Sequence, residues 1–313
     1  MNEIHKNRSG VDEIDIGELI SALWKGKWII AVATSLATAA AVFYALSLPN
    51  IYKSEALLAP VTEDAGMKIP GQLGGLAALA GVNLGGLAGS NKVGLAMEII
   101  KSREFLGHFI EKNDLYVTLM ATEGWNRSDN SFLIDPDIYD VANNKWVRKV
   151  EVPYAPKPSL LEVHEEFMKS FTISQEKASG MVKIGFEHYS PYLAKRLIDD
   201  LIQAINDEMR NRDLVEAQRS ISYLNNQIEK TNISDVKTML YSLIEEQTKT
   251  VMLANVRDEY IFKVVDPAVV VEKKIKPARV GIIIIVSMCA FILSCMLMIF
   301  SSQRARFYSG NGK

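Results

Sequence analysis

Cysteine and excess charge are both scarce in this sequence. The 313 residues include only two cysteines, Cys289 and Cys295, and both lie in one apolar run near the C-terminal end. The rest of the chain therefore has no disulfide bond, a property that fits either an oxidising or a reducing compartment. The formal net charge is only -2, which argues against a general nucleic-acid binder.

Motifs of known catalytic and metal sites are missing as well. The histidine at 164 lacks the second histidine that a zinc protease helix carries four positions on. Asp135, Asp137 and Asp140 resemble the start of a calcium loop, but the central glycine and terminal glutamate are absent. The glycine-rich stretch 66–94 has no Gly-Lys-Ser/Thr, so it predicts a mobile apolar loop rather than a nucleotide site. The sequence therefore predicts no catalytic residue, no metal and no cofactor.

Two long apolar runs are present instead. Residues 28–48 and 280–300 contain no charged side chain, and each is long enough as a helix to cross about 30 Å of hydrocarbon. Both are predicted to be transmembrane helices, with the segment 49–279 on one side and both termini on the other. A cleaved signal peptide is the alternative for the first run, but its length and its acidic leader argue against cleavage.

The orientation of these spans is less clearly encoded. Lysine and arginine residues near the span ends are equally numerous on the two sides, whereas the flanks of the first span favour a cytoplasmic N-terminus. We therefore expect residues 1–27 and 301–313 to be cytoplasmic, and in a Gram-negative cell residues 49–279 would then be periplasmic. The basic group at 273–279 is predicted to contact lipid headgroups.

Small residues form one face of the first span. Alanine recurs there at every fourth position, which lets a neighbouring helix approach closely. The four residues are Ala33, Ala37, Ala41 and Ala45. The neighbour could be another copy or partner protein, or the second span of the same chain, and the sequence leaves both open. In the second span, Gly281 is the small residue predicted to allow close helix packing or contact with a partner.

A long charged helix organises the middle of the chain. Residues 190–231 predict a helix of roughly 60 Å, with Ser190 as its N-cap and Pro191 at its first position. Turn residues at 232–234 lead into a second helix, 235–258, so 190–258 is predicted to be a helical hairpin. Its apolar stripe loses phase at 211–213, where we expect the helix to leave a base domain. The predicted seam of the hairpin or of an oligomer contains Leu214, Ile221, Leu224, Ile228, Leu240 and Leu243.

The base is predicted to comprise residues 49–189 and 259–279, which gives an α+β fold class overall. Alternating residues after Pro49 predict a first strand, helices are expected at 95–112 and 160–169, and strands at 171–174, 181–187 and 260–265. The segment 125–158 is irregular and rich in aromatic residues. Its rings either pin the loop to the core or stack on sugar rings, and pinning is the favoured interpretation.

Several of these pieces together resemble one protein family. Residues 14–19 (Ile-Asp-Ile-Gly-Glu-Leu) and 23–28 (Leu-Trp-Lys-Gly-Lys-Trp) look like the opening of the Wzz-type chain-length determinants, also called polysaccharide co-polymerases. Residues 52–56 are similar to the first strand of that family, and 188–191 (His-Tyr-Ser-Pro) resemble the start of its long helix. Pro267 and Pro277 stand where the family has a membrane-proximal proline segment. The second span departs from the family, which often has a glycine-rich run there.

The resemblance implies an α+β inner-membrane protein, with two transmembrane helices flanking a periplasmic α/β base and a long protruding helical hairpin. It implies a homo-oligomer without a kinase domain, which acts with a separate Wzy-type polymerase on lipid-linked glycan and sets the modal number of repeats of O-antigen. It assigns no covalent step to the chain itself. The same mechanism could serve a capsule, an exopolysaccharide or enterobacterial common antigen. A membrane-anchored periplasmic sensor is a further alternative, although neither the leader nor the tail can hold an output domain.

Overall fold

The chain divides into two compact units in the structure, a computed structural model that describes residues 23–24, 26–61 and 84–310. Only the backbone is described at 84–91 and 302–310. The terminal unit comprises Met1–Pro49 and Lys276–Lys313, and the middle unit comprises Asn50–Ile275. Apolar residues at helical spacing in 16–24 predict either a short amphipathic helix on the membrane surface or an extension of the first span, and these residues lie almost entirely outside the described ones.

Helices and strands alternate along the described chain. The helices are α1 Lys27–Ser47, α2 Leu84–Lys101, α3 Arg103–Lys112, α4 Tyr116–Met120, α5 Leu160–Ser170, α6 Pro191–Lys230, α7 Ser234–Val256 and α8 Arg279–Gly310. The strands are β1 Tyr52–Pro60, β2 Thr122–Asn126, β3 Ser131–Ile134, β4 Tyr139–Asp140, β5 Lys145–Trp146, β6 Phe171–Gln175, β7 Val182–His188 and β8 Phe262–Asp266. The mixed composition confirms the α+β class, and α1 and α8 confirm the two long apolar helices.

A four-stranded sheet forms the centre of the middle unit, with strand order β6-β7-β1-β8. All neighbouring strands are antiparallel, and β1 begins with Tyr52 opposite His188. Alternate residues of β1 and β7 are buried on one face, as the two-residue period of a strand requires. The strand β8 returns beside β1, far along the chain from it, so the helical hairpin begins and ends at the same sheet.

The first half of α6 packs against the buried face of this sheet. Its apolar residues enter one core with the phenylalanines of α3, α5, β7 and β8. The α6 residues Leu197, Ile198, Leu201 and Ile205 are each at most 1% exposed. Hydrophobic burial therefore ties this half of the helix to the base, whereas the second half pairs with α7.

The bounds of α6 agree with the helix predicted at 190–231, because local sequence signals define where it begins. The amide of Leu193 donates a hydrogen bond to the Ser190 hydroxyl oxygen at 3.4 Å, and Pro191 occupies the first helical position. A side-chain acceptor satisfies one of the free amides of the first turn, and proline has none to satisfy. With 40 residues the helix is about 60 Å long, and α7 follows after a short turn.

Two predictions for the segment before Asn113 are wrong. The structure continues a helix, α2, through 84–94, where the glycines predicted a loop; residues 62–83 of that loop lie outside the described residues. Burial of Val93, Ala96, Ile99 and Ile100 in the core outweighs the low helix propensity of glycine. The helix expected at 95–112 is interrupted at Ser102, which has extended backbone angles and caps α3 through the Phe105 amide.

Candidate functional site

The two apolar helices of the terminal unit pack as an antiparallel pair, and both are long and apolar enough to cross a membrane. Gly26 lies against Met298, while the hydroxyls of Thr38 and Ser287 are hydrogen-bonded at 2.9 Å. Near the other end of the pair, Arg279 donates to the carbonyl oxygen of Leu48 at 3.1 Å. Small and hydroxyl-bearing side chains thus form the contact between the helices, as is typical of helix pairs in lipid.

The alanine face of α1 is divided between two environments. Ala41 and Ala45 are buried inside the helix pair, Ala37 is half-buried, and Ala33 is exposed. The structure thus places the second half of this face against the chain's own second span, while Ala33 remains available to a neighbour. Gly281 has only the Cβ of Ala278 near its missing side chain, at 3.8 Å, so it does not mark a close approach of the helices.

The proline-containing segment after β8 runs back along the start of β1. The Ser54 hydroxyl donates to the Val269 carbonyl oxygen at 2.8 Å, and the Ile275 amide donates to the Ile51 carbonyl oxygen at 2.8 Å. Pro267 is exposed directly after the strand, and Pro277 precedes α8. The middle unit therefore begins and ends with segments that are hydrogen-bonded to each other.

The apolar seam of the hairpin is narrow, and both helices contribute residues to it. Ile228 and Leu240 are buried, as are Ala217 and Ala254, while Leu214, Ile221 and Leu224 are half-buried. Leu243 is 40% exposed, so its predicted place in the intrachain seam is wrong. Ile244 takes that place because positions on one helix face recur four and three residues apart, which puts 244 rather than 243 in line with 240 and 251. A contact of Leu243 with another copy stays a prediction.

Aromatic rings connect the β2–β3 hairpin to the base. Trp125 contacts Tyr52 and Tyr192 with ring centroids 6.0 Å away in each case, and Phe132 contacts His188 at 5.8 Å. The indole nitrogen of Trp125 donates to the Asn130 side chain at 2.8 Å. These contacts support the pinning interpretation, because the rings meet edge to face or tilted instead of forming one flat platform.

His188 explains why the sequence His-Tyr-Ser-Pro stands at the start of the long helix. Its Nδ1 accepts a hydrogen bond from the Ser190 amide at 3.0 Å, and the Thr118 carbonyl oxygen is a second partner of the ring. Burial of the ring lowers its pKa from 6.5 to about 4, although the hydrogen bond to the Thr118 backbone acts in the opposite direction. The neutral imidazole therefore links α4, β7 and the cap of α6.

Ion pairs link side chains on the surface of the middle unit. Burial raises the pKa of Glu55, but hydrogen bonds from Lys183 and Lys53, each at 2.8 Å, outweigh it and leave that pKa below its usual value. Burial also raises the pKa of Glu162, but the hydrogen bond from Arg148, at 2.5 Å, contributes to keeping that pKa below its usual value. Among the described residues, no three potential ligand side chains are grouped in a way that could hold a metal ion.

Three polar residues of α6 escaped the sequence analysis. Asn206, Arg210 and Asp213 share one face of the helix, and all three bond to the segment that joins α7 to β8. The only signal in the sequence was the loss of apolar phase near 211–213. Their partners lie about 50 residues further along the chain, so no local pattern could have identified them.

These features define a two-span α+β protein in which a helical hairpin continues from one face of a small antiparallel sheet. Residues 12–113, which include the first span and β1, match the family model described as "Wzz: Chain length determinant protein". The matched residues make up about a third of the chain, and this part of the chain is therefore similar to the chain length determinant family.

Solved structures resemble the chain at low sequence identity. One is described as a full-length bacterial polysaccharide co-polymerase and is 13% identical, with a TM-score of 0.42; the match covers 96% of this chain and 100% of that one. Another is a fragment of WzzB, a polysaccharide co-polymerase from Salmonella Typhimurium, 12% identical with a TM-score of 0.33, covering 72% and 100% respectively. No curated protein sequence matches the chain.

Proposed function

We propose that the chain is a non-enzymatic scaffold that sets the modal number of repeats in lipopolysaccharide O-antigen. It would assemble as a homo-oligomer in the inner membrane, with both termini cytoplasmic and the middle unit periplasmic, and act on a Wzy-type polymerase that extends lipid-linked glycan. The observation that carries the proposal is the match of residues 12–113 to the chain length determinant family.

The mechanism needs no reacting group on this chain. A scaffold can alter chain length by changing how long a polymerase stays engaged with its product, which is a difference in binding and geometry rather than in chemistry. The paired spans supply a surface for a membrane partner, and the exposed apolar residues of the hairpin supply surfaces for other copies. The most exposed of these are Tyr223, Ile233, Met239, Tyr241, Met252 and Val256.

The first test compares the lipopolysaccharide ladder of the host with and without the gene. Deletion should replace a clustered modal band by short, unclustered lengths, and the gene returned on a plasmid should restore the cluster. An unchanged ladder, with the protein shown to be made in the parent strain, would contradict control of O-antigen length. Capsule, exopolysaccharide and enterobacterial common antigen would then be measured in the same two strains.

The proposed membrane contact can be tested on the alanine face. Ala33→Leu and Ala37→Leu add bulk where α1 is exposed or half-buried, so each should shift the modal length if a partner packs there. Ala31→Leu is the matched control, because this exposed alanine lies about 200° around the helix from Ala33. A ladder that stays the same in all three variants, at equal protein level, would contradict a partner on this face.

A further inference from the structure

One face of α6 holds the returning chain at the place where the hairpin leaves the base. Asn206, Arg210 and Asp213 are spaced four and three residues apart, so their side chains leave the helix on the same side. We name these three residues, together with their partner segment 257–262, the return clamp. Arg210 and Asp213 lie between the last buried α6 residue of the core, Met209, and the first buried residue of the hairpin seam, Ala217, and Asn206 lies one turn before them.

Asn206 is the clamp residue nearest the start of α6. Its side-chain amide makes hydrogen bonds to the main chain of β8 as a neighbouring strand would. Its amide nitrogen donates to the Phe262 carbonyl oxygen at 3.0 Å, and its carbonyl oxygen accepts from the amides of Ile261 and Phe262 at 2.8 and 2.9 Å. The side chain is 4% exposed. It therefore satisfies main-chain groups that β8, an edge strand, would otherwise leave without a strand partner.

Arg210 binds the chain as it leaves α7. One nitrogen of its guanidinium group, Nη2, donates to the carbonyl oxygens of Arg257 and Asp258 at 2.9 and 2.7 Å, while Nη1 pairs with Asp207 at 2.7 Å. The first of these carbonyls belongs to the residue that ends α7. A cation at the carbonyl end of a helix is favoured by the helix dipole as well as by the hydrogen bonds.

Asp213 completes the clamp and links it to a third element. It accepts a hydrogen bond from the Tyr260 hydroxyl at 2.5 Å and an ion pair from Lys92 of α2 at 3.2 Å. The carboxylate is 15% exposed, so water screens these contacts only in part. The three clamp residues together thus contact 257, 258, 260, 261 and 262, nearly the whole connection between α7 and β8.

The hairpin is joined to the base at two places, and only one of them is a continuous helix. The first is α6, whose N-terminal half lies in the core. The second is the connection 257–261, which has no regular structure and is held by the clamp. If the clamp opened, α7 could slide or tilt against α6, and a tilt of about 10° would move the end of a hairpin about 30 Å long by about 5 Å.

We infer that the return clamp fixes the direction of the hairpin on the base and that modal chain length is set through this rigid connection. The inference rests on the proposed function for its second half, because only a chain-length regulator has a modal length to change. Its first half is a mechanical statement about the protein alone. The clamp residues are positioning residues, since they act through the hairpin and not on the glycan.

The test uses full-length protein with three substitutions. Arg210→Gln removes the guanidinium fork, and Tyr260→Phe removes a single hydroxyl and keeps the buried ring, so at least one variant should fold normally. Arg212→Gln is the matched control, because the ion pair that this arginine makes among the described residues is with Glu208 of the same helix. Arg210→Lys keeps the charge and should rescue in part.

Hydrogen exchange of segment 257–262 is measured first, on purified protein in detergent. Exchange should become about tenfold faster in Arg210→Gln and Tyr260→Phe and stay at the wild-type rate in Arg212→Gln. Unchanged exchange in the first two variants overturns the clamp. The same variants are then expressed at equal level in the deletion strain, where the first two should shift the modal length and Arg212→Gln should not.

The ladder separates this inference from the proposed function. Faster exchange with an unshifted modal length overturns the link between hairpin direction and chain length, provided the wild-type gene restores the modal band. A wild-type gene that leaves the ladder unchanged overturns the proposed function, and exchange at 257–262 then decides the mechanical half by itself. If the clamp only stabilised the fold, its loss would lower the amount of protein but leave the modal length unchanged once expression was matched. That result would also count against the inference.

Discussion

His188 makes the stability of the middle unit depend on pH. In the folded chain its pKa is about 4, while the unfolded chain has the usual 6.5, because burial disfavours the imidazolium form. Between these values the unfolded state binds a proton and the folded state does not. The stabilisation is therefore complete above about pH 6.5 and is lost as pH falls towards 4, by a total of about 3 kcal/mol.

The variant His188→Gln isolates this effect. Glutamine can still accept from the Ser190 amide and donate to the Thr118 carbonyl oxygen, but it does not titrate. We expect the wild type to lose more unfolding free energy than the variant between pH 7 and pH 4.5, measured by denaturant unfolding in detergent. Parallel losses in the two proteins would show that another group carries the pH dependence.

Glu162 and Arg148 are predicted to hold the irregular segment 148–158 on the base. Arg148 donates to the Glu162 carboxylate and also to the carbonyl oxygens of Ala155 and Pro156, so one side chain joins both ends of this loop to α5. Glu162→Gln weakens a charge-assisted pair whose two side chains are each 15% exposed. Trypsin should then cleave after Lys149 faster than in the wild type.

The control for that experiment is Glu166→Gln on the same helix. Glu166 pairs with Lys169 three residues further along the same helix, and the Lys169 side chain is 71% exposed. Exposed pairs of this kind contribute little to stability, so cleavage should stay at the wild-type rate. Equal acceleration in both variants would mean that general loss of negative charge, rather than release of the loop, is being measured.

At the scale of the helical hairpin, neighbouring residues on α7 should behave differently. Ile244→Ala removes a half-buried side chain from the seam and should cost about 1 to 2 kcal/mol of unfolding free energy. Leu243→Ala changes a residue that is 40% exposed and should cost less than about 0.5 kcal/mol in the monomer. If Leu243 contacts another copy, its substitution should instead reduce the crosslinked oligomer at constant monomer stability. Equal destabilisation by the two variants would contradict the observed phase of the seam.

The hydrogen bond between the hydroxyls of the two spans is expected to contribute only modestly to the stability of the helix pair. Thr38→Val keeps the shape of the side chain and removes the hydrogen bond to Ser287. Measured bonds of this type in membranes average about 0.6 kcal/mol, so the variant should lower the thermal midpoint of the detergent-solubilised chain only slightly. Gly26→Leu should do more, because a side chain at Gly26 would meet the side chain of Met298, which would have to move. A larger effect of Thr38→Val than of Gly26→Leu would contradict this ranking.

Strongly periodic elements were predictable from the sequence, and elements that depend on distant contacts were not. The bounds of α6 follow from Ser190, Pro191 and a long apolar stripe, all of which are local signals. In contrast, α2 forms through its glycines because residues on β1 and α6 bury its second half, which no local pattern records. The same reason explains the missed clamp, since Asn206 is an ordinary polar residue until β8 is placed beside it.

For the whole molecule, the sequence supports two spans but decides their orientation only weakly, since the basic residues near them are balanced. Cysteine labelling can settle the orientation because the native thiols, Cys289 and Cys295, can both be replaced by serine. In that background, Ser174→Cys on the exposed edge strand β6 places one thiol in the middle unit, and Ser301→Cys places one at the C-terminal end of the second span.

A maleimide that cannot cross the inner membrane should label the thiol at position 174 in cells whose outer membrane is permeabilised. The thiol at position 301 should react only after the inner membrane is opened, because residues after the second span are proposed to be cytoplasmic. This outcome would place the hairpin and its clamp in the compartment where a lipid-linked glycan is extended. The reverse pattern would leave the two-span fold intact but remove the glycan from reach of the hairpin, and chain-length control through hairpin direction would then be excluded.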